Sequence, residues 1–168
     1  ANQNLPPFTK SETYENGMLT EIVQAVFSKM KTSTSVQYQS WNETKLLAYN
    51  EVVVAAYPFF KHTNDENLFY FSAPLFKTLH VFYARNQEDF KFRTIKDLEG
   101  KRVGVYEGYN IDKLQEYVTK GLIQIIVFES LGTCFEQLKQ NKIDLIALPE
   151  LIGHSFLAEN NQYSKEDF

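Results

Sequence analysis

The sequence predicts an α/β fold in two lobes with mostly parallel sheets. Three observations carry that expectation. Strand-type and helix-type segments alternate along the 168 residues, most plainly after Thr94, an order that produces parallel sheets. Val52-Val53-Val54-Ala55-Ala56-Tyr57 is a continuous apolar run rich in β-branched residues, the pattern of a strand buried on both faces. A polar crossing at 85–93 divides the chain into residues 1–84 and 94–168, and clefts between lobes are favoured ligand sites.

In the first lobe, residues 5–9 are expected to be extended, because Pro6 and Pro7 disfavour helix there. Residues 18–31 carry Leu19, Ile22, Val23, Val26, Phe27 and Met30 at helical spacing and predict an amphipathic helix. Val36 to Trp41 alternates and predicts a short strand. Asn42 is read as the N-cap of a short helix through Tyr49. The apolar run at 52–57 is the next strand, Lys61 to Asn67 a surface loop, and Leu68 to Phe71 a short strand ended by Pro74. Thr78 to Ala84 alternates and is read as a long strand leaving this lobe.

The second lobe opens with a turn at Asp97-Leu98, followed by a strand at 102–106 with Gly104 inside it. Gly108 and Asn110 then lead into a helix at 111–119 that ends before Gly121. A strand–turn–helix start of this kind leaves free backbone N–H groups, which suit an anionic ligand group. A strand at 124–128, a helix at 132–140, a strand at 143–148 and a helical segment at 151–158 complete the pattern. The polar tail from Glu159 to Phe168 is expected to fray.

Composition removes several functional classes. The net charge is −4, and no basic stripe or basic–aromatic cluster points to nucleic acid. No apolar run approaches the roughly 18–20 residues of a membrane span, and no signal-peptide pattern opens the sequence. Cys134 has no second cysteine to pair with and reads as a buried, inert thiol. His62, His80 and His154 are scattered, so neither a nucleophilic triad nor a metal cluster is expected. No motif marks a catalytic centre and no cofactor is called for. Aromatic residues make up 15%; most are expected in the core and a few on a cleft, where their faces can sandwich a small ligand.

The stretch Asp97-Leu98-Glu99-Gly100-Lys101-Arg102-Val103-Gly104-Val105-Tyr106-Glu107-Gly108 resembles an element of the bacterial periplasmic solute-binding proteins of family 3, the polar amino acid type. Leu5-Pro6-Pro7-Phe8-Thr9, Gly17 to Ile22, Ala55 to Phe60, Phe71 to Phe76 and Ile143 to Ala147 resemble further segments of that family, in the same order. The resemblance spans nearly the whole chain. It implies the type II periplasmic binding fold, with a return crossing and C-terminal helix that are expected to be missing here. It also implies a ligand held between the lobes, hinged near 84–93.

Candidate ligand-binding residues are Phe8, Trp41, Tyr57, Pro58, Phe59 and Ser72 in the first lobe, and Gly108, Tyr109, Asn110 and Glu150 in the second. Trp41 is read equally as a core residue. In the amino-acid-binding branch an Arg lies six positions before the Phe of the Phe71-Ser72 segment; that position is Asp65 here, between Asn64 and Glu66. The usual bidentate clamp on an α-carboxylate is therefore expected to be absent. The position of the family's ammonium-binding Asp is Pro149, and Glu150 is the nearest substitute.

The resemblance implies a periplasmic or otherwise extracytoplasmic protein. It would capture a small polar, amino-acid-like ligand for the membrane subunits of an ABC importer. Two other roles occur on the same fold: the sensing domain of a signalling protein, and a periplasmic enzyme such as a dehydratase. An incomplete two-lobe chain is also expected to be able to exchange segments with a second copy as a dimer.

Overall fold

The computed structural model describes residues 1, 5–9, 16–62, 65–108, 111–163 and 168. The chain divides into two compact units, Ala1–Lys77 and Thr78–Phe168.

Thr78–Phe168 is built around one four-stranded sheet. Its strands are β1 (His80–Tyr83), β2 (Arg102–Tyr106), β3 (Gln124–Phe128) and β4 (Leu145–Pro149), in the order β1-β4-β2-β3. β2 runs parallel to both neighbours, with Val103 opposite Leu145 on one side and Ile125 on the other. β1 closes the far edge antiparallel to β4, with His80 opposite Pro149. The alternation of strand and helix is thus realised as a mostly parallel sheet. Every residue of β4 is buried, as a continuous apolar strand covered on both faces requires.

Three helices follow the strands: α3 (Gln115–Thr119), α4 (Leu131–Lys139) and α5 (Glu150–Glu159). α4 buries Leu131, Cys134, Phe135 and Leu138 on one stripe, and the Ser130 hydroxyl caps it by accepting the Thr133 N–H at 3.1 Å. Burial pushes the Cys134 thiol up to about 12, so it packs as a small apolar side chain. The helix expected at 111–119 is shorter than its sequence pattern. Residues 112–114 form a turn, and the expected cap, Asn110, lies outside the described residues.

Two side-chain clusters lock the sheet. Arg102 grips Asp144 in a fork: Nη2 donates to Oδ1 at 2.7 Å and Nε to Oδ2 at 3.1 Å, while the Arg102 backbone N–H reaches Oδ2 at 2.7 Å. The guanidinium holds the Asp144 carboxyl below its ordinary range. Arg85 donates to the carbonyls of Leu138 (2.6 Å) and Ile143 (2.8 Å), tying the polar crossing to the end of α4 and the entry of β4. The tail corrects the expected fraying. Tyr163 is buried with its hydroxyl donating to the Gly132 carbonyl at 3.2 Å, and Phe168 lies edge-on to Phe135 at 5.1 Å. Burying aromatic area outweighs the polar composition around these two rings.

Ala1–Lys77 carries α1 (Met18–Lys29) and α2 (Trp41–Tyr49). The segment at 5–9 is a turn rather than an extended strand: the Phe8 and Thr9 N–H groups both donate to the Leu5 carbonyl, at 2.8 and 3.0 Å. The fixed φ of proline suits a turn as well as an extended chain. The turn is docked on α1, whose first amides at Met18 and Leu19 donate to the Pro7 and Phe8 carbonyls. Those donors would otherwise be orphans. Gly17, with φ 78, makes the junction possible, since a Cβ there would lie 2.6 Å from the Phe8 carbonyl oxygen.

α2 begins before its expected start. Its cap is Ser40, in a reciprocal capping box with Glu43, and not Asn42. Trp41 accordingly opens a helix instead of closing a strand. The strands expected at Val36–Trp41, 52–57 and 68–71 form no ladder among the described residues; Gln39 alone makes a bridge. Val52 and Val54 stand 68% and 92% exposed. β-branched sequence favours a strand only where neighbouring strands supply the hydrogen bonds and cover.

Two substitutions test this arrangement. Gly153→Ala would bring a Cβ to 2.3 Å from the Tyr83 hydroxyl. The expected loss is about 1–3 kcal/mol, measured by urea unfolding. Asp144→Asn is expected to cost roughly 1–3 kcal/mol at pH 7. The Asp144 pKa lies below the ordinary 3.8 in the folded protein, so its contribution is complete above that value and is lost as pH falls through the lower folded one. Stability of Asp144→Asn and of the parent should therefore converge in acid, and a constant gap down to pH 2 would contradict the assignment.

Candidate functional site

In Ala1–Lys77 the candidate residues gather around two aromatic contacts. The Trp41 and Phe59 rings meet edge to face, 5.0 Å apart at 79°. Trp41 is buried, yet its indole N–H has no hydrogen-bond partner among the described residues. A buried donor without an acceptor costs about 1–3 kcal/mol, so an oxygen brought to it from outside is bound at a premium. Phe8 is buried against Phe76, with ring centres 5.4 Å apart. Pro58 and Phe59 are half-buried, and Ser72 is exposed, its hydroxyl donating to the Ala73 carbonyl at 2.8 Å.

Tyr57, one residue before Pro58, is buried and tied to α1. Its hydroxyl donates to Thr20 Oγ1 at 3.2 Å, and Thr20 in turn lies 3.4 Å from the Tyr38 hydroxyl. Burial raises the Tyr57 pKa, partly offset by the Thr20 hydrogen bond, so the phenol stays protonated. The sequence reading did not single out Thr20 or Tyr38. Thr20 in the first turn of an amphipathic helix, on its buried side, is the one available signal, and it is weak.

Asp65 is buried and paired with Lys45, whose Nζ donates to Oδ1 at 2.6 Å. Lys45 also lies 6.0 Å from the centre of the Phe69 ring. The position where the resemblance places a ligand-clamping Arg thus holds an acid that is already neutralised from α2. Lys61, nearby in sequence, pairs with Glu66 at 3.0 Å and lies 5.8 Å from the centre of the Phe71 ring.

In Thr78–Phe168 the parallel register sets the geometry. β4, β2 and β3 deliver their C-terminal ends to one edge of the sheet, where ligands of open α/β sheets bind. Gly108 follows β2 there with φ 81, Ser130 follows β3, and Glu150 follows β4 as the first residue of α5. Antiparallel β1 brings His80 to the same edge. Tyr109 and Asn110 lie outside the described residues. The Glu150 backbone is fixed at both ends, its N–H donating to the Leu79 carbonyl at 2.9 Å and its carbonyl accepting the Tyr83 hydroxyl at 3.1 Å. Its carboxylate makes no hydrogen bond or ion pair among the described residues. The Tyr83 phenol is pushed up to about 12, first by burial and then by Glu150.

No group of three or more His, Cys, Asp or Glu among the described residues could hold a metal ion, and no helix among them is long and apolar enough to cross a membrane.

The backbone has close counterparts among solved structures. An ancestral arginine-binding protein bound to glutamine superposes with a TM-score of 0.75 at 18% identity, covering 99% of this chain and 79% of that one. Holo ArgBP from T. maritima gives 0.77 at 21% identity, over 95% of this chain and 71% of that one. An arginine 3rd transport system periplasmic binding protein from Legionella pneumophila gives 0.71 at 18% identity, over 96% and 72%. The chain has the fold of these binding proteins. No protein-family model matches it, and no curated protein matches either. The neighbours are binding proteins rather than enzymes, and the expected α/β class with a mostly parallel sheet is the one they share.

The Lys45–Asp65 pair gives a test of the first group. Lys45→Met strands a buried carboxylate and is expected to cost about 1–3 kcal/mol in urea unfolding, whereas Asp65→Asn removes the buried charge and leaves a lysine that is 44% exposed and can be solvated, so it should cost less. The opposite ranking would show that Asp65 serves the fold through contacts other than Lys45.

Proposed function

We propose that this chain is an extracytoplasmic solute-binding protein that captures a small polar, amino-acid-like ligand without chemical turnover and presents it to the membrane subunits of an ABC importer. The observation that carries the reading is the unsatisfied, buried indole N–H of Trp41 beside Phe59. A donor of this kind rewards a ligand oxygen, and the ring edge beside it rewards an apolar or flat ligand surface. The solved structures with this fold support the ligand class, since one is bound to glutamine and another to arginine.

The chemistry of the ligand follows from which charges are left unpaired. Asp65 is spent on Lys45, so no side-chain cation at that position meets a carboxylate. The Gly108 backbone N–H, just past the C-terminal end of β2, would serve a ligand carboxylate instead. Glu150, its backbone pinned and its carboxylate without an ion pair among the described residues, would accept an ammonium. Pro58 and Ser72 would border the aromatic group.

The test uses the single tryptophan of the chain as its own reporter. Titration with amino acids, short peptides, polyamines and organic acids is followed by Trp41 emission and by thermal shift. One class should move both signals, with about 2.7 kcal/mol of added stability at a hundredfold excess over Kd. Trp41→Phe should then weaken binding about fivefold by calorimetry, the value of one neutral hydrogen bond. Unchanged emission and melting temperature with every class would end this reading.

A further inference from the structure

We propose that His80 and Lys113 together hold the ligand carboxylate at the edge of the sheet in Thr78–Phe168. This site rests on the solute-binding reading above and supplies, within the second unit alone, the cation that position 65 lacks.

β1 sorts its side chains by face, because successive residues of a strand point to opposite sides. Tyr83 lies on the side of α4 and α5: its ring centre is 5.6 Å from that of Phe135, and it packs against Gly153. Phe82 therefore faces the other side, where it joins one apolar cluster with Val105, Ile111 and Leu114. His80 stands two residues before Phe82 and shares its face. It is exposed, and the antiparallel pairing with β4 puts it at the edge where the parallel strands end. Lys113 is exposed between Ile111 and Leu114, both drawn into that cluster. Burying Leu114 on the face that Phe82 occupies thus brings a lysine to the corner of the sheet that holds the imidazole.

The two bases come from unrelated elements, and each feels the other. Partial burial lowers the His80 pKa, and the Lys113 charge lowers it further. The imidazole is then largely neutral at pH 7 and can donate one N–H while Lys113 brings the charge. Lys113 makes no ion pair among the described residues. A carboxylate between them would accept from both, with the Gly108 N–H at the same edge as a third donor. The acid of this edge belongs to the other face of β1, since the Glu150 charge acts on the Tyr83 phenol. The end of β1 therefore separates a basic corner from an acidic one. A ligand that spans both carries a carboxylate and an ammonium, which selects an amino acid over a polyamine or a dicarboxylic acid.

The experiment uses acetate and ethylammonium as probes of one pole each, followed by NMR of the imidazole and backbone amide signals at constant ionic strength in chloride. Acetate is expected to move His80 and the Gly108 amide and to leave His62 and His154 in place, while ethylammonium moves neither His80 nor Gly108. His80→Gln and Lys113→Gln should each weaken acetate at least fivefold, the value of one hydrogen bond, with urea midpoints confirming that both variants fold. No response of His80 to acetate overturns the proposal, as does an equal response to chloride. So does Asp112→Asn tightening acetate as far as Lys113→Gln weakens it, because the effect would then be the general field of the turn. An acetate response with no amino acid moving Trp41 emission or Tm would keep the anion site and remove the solute-binding reading; the reverse pattern removes the anion site alone.

Discussion

A parallel strand has no hairpin to hold it, so its place depends on neighbours on both edges and on cover for both faces. β2 meets that requirement in Thr78–Phe168: β4 and β3 flank it in matched register, and its own Val103, Gly104 and Val105 are all buried. Gly104 makes the central packing possible, since a Cβ there would lie 2.6 Å from the Ile143 side chain and 3.1 Å from Phe128. From this one register follows the placement of the loop ends, and so of Gly108, Ser130 and Glu150 along a single edge. The Arg102–Asp144 fork fastens the opposite, N-terminal end of the same two strands. One end of the sheet is thereby fixed by charge pairing and the other is left to loops.

The same constraint explains what could and could not be read from the residues. The strands at 102–106 and 124–128 and the helix near 132–140 are written in local pattern, and their neighbours exist in the chain, so pattern and structure agree. Residues 52–57 carry as strong a strand pattern as any segment, but the pattern says nothing about whether a partner strand is at hand. The alternation from Val36 runs up to Trp41 and favours a strand there. The Ser40-Trp41-Asn42-Glu43 spacing of a capping box was present in the sequence and has the stronger physical claim on that position.

The candidate site was legible to a smaller degree. The aromatic residues at the ends of segments could be named from the sequence, but their pairing could not: Trp41 with Phe59 and Phe8 with Phe76 are contacts between elements. The absence of Arg at position 65 was plain in the sequence. That Asp65 is buried and answered by Lys45, one turn into α2, depends on a loop fold that no local pattern encodes. The hydroxyl chain through Tyr57, Thr20 and Tyr38 is of the same kind, three ordinary residues far apart in sequence whose polar atoms must meet because burial forbids them to remain alone.

β1 has a consequence for how this chain can be divided. It precedes the polar crossing at 85–93, yet it is the strand that covers the outer edge of β4, and its Tyr83 packs under α5 and against Phe135. A fragment beginning at the crossing would leave the wholly apolar β4 with a bare row of backbone donors and acceptors, an invitation to pair with other molecules. The four residues of β1 are thus the sheet's guard against self-association, and a cut placed by charge pattern alone would turn a folded domain into an aggregating one.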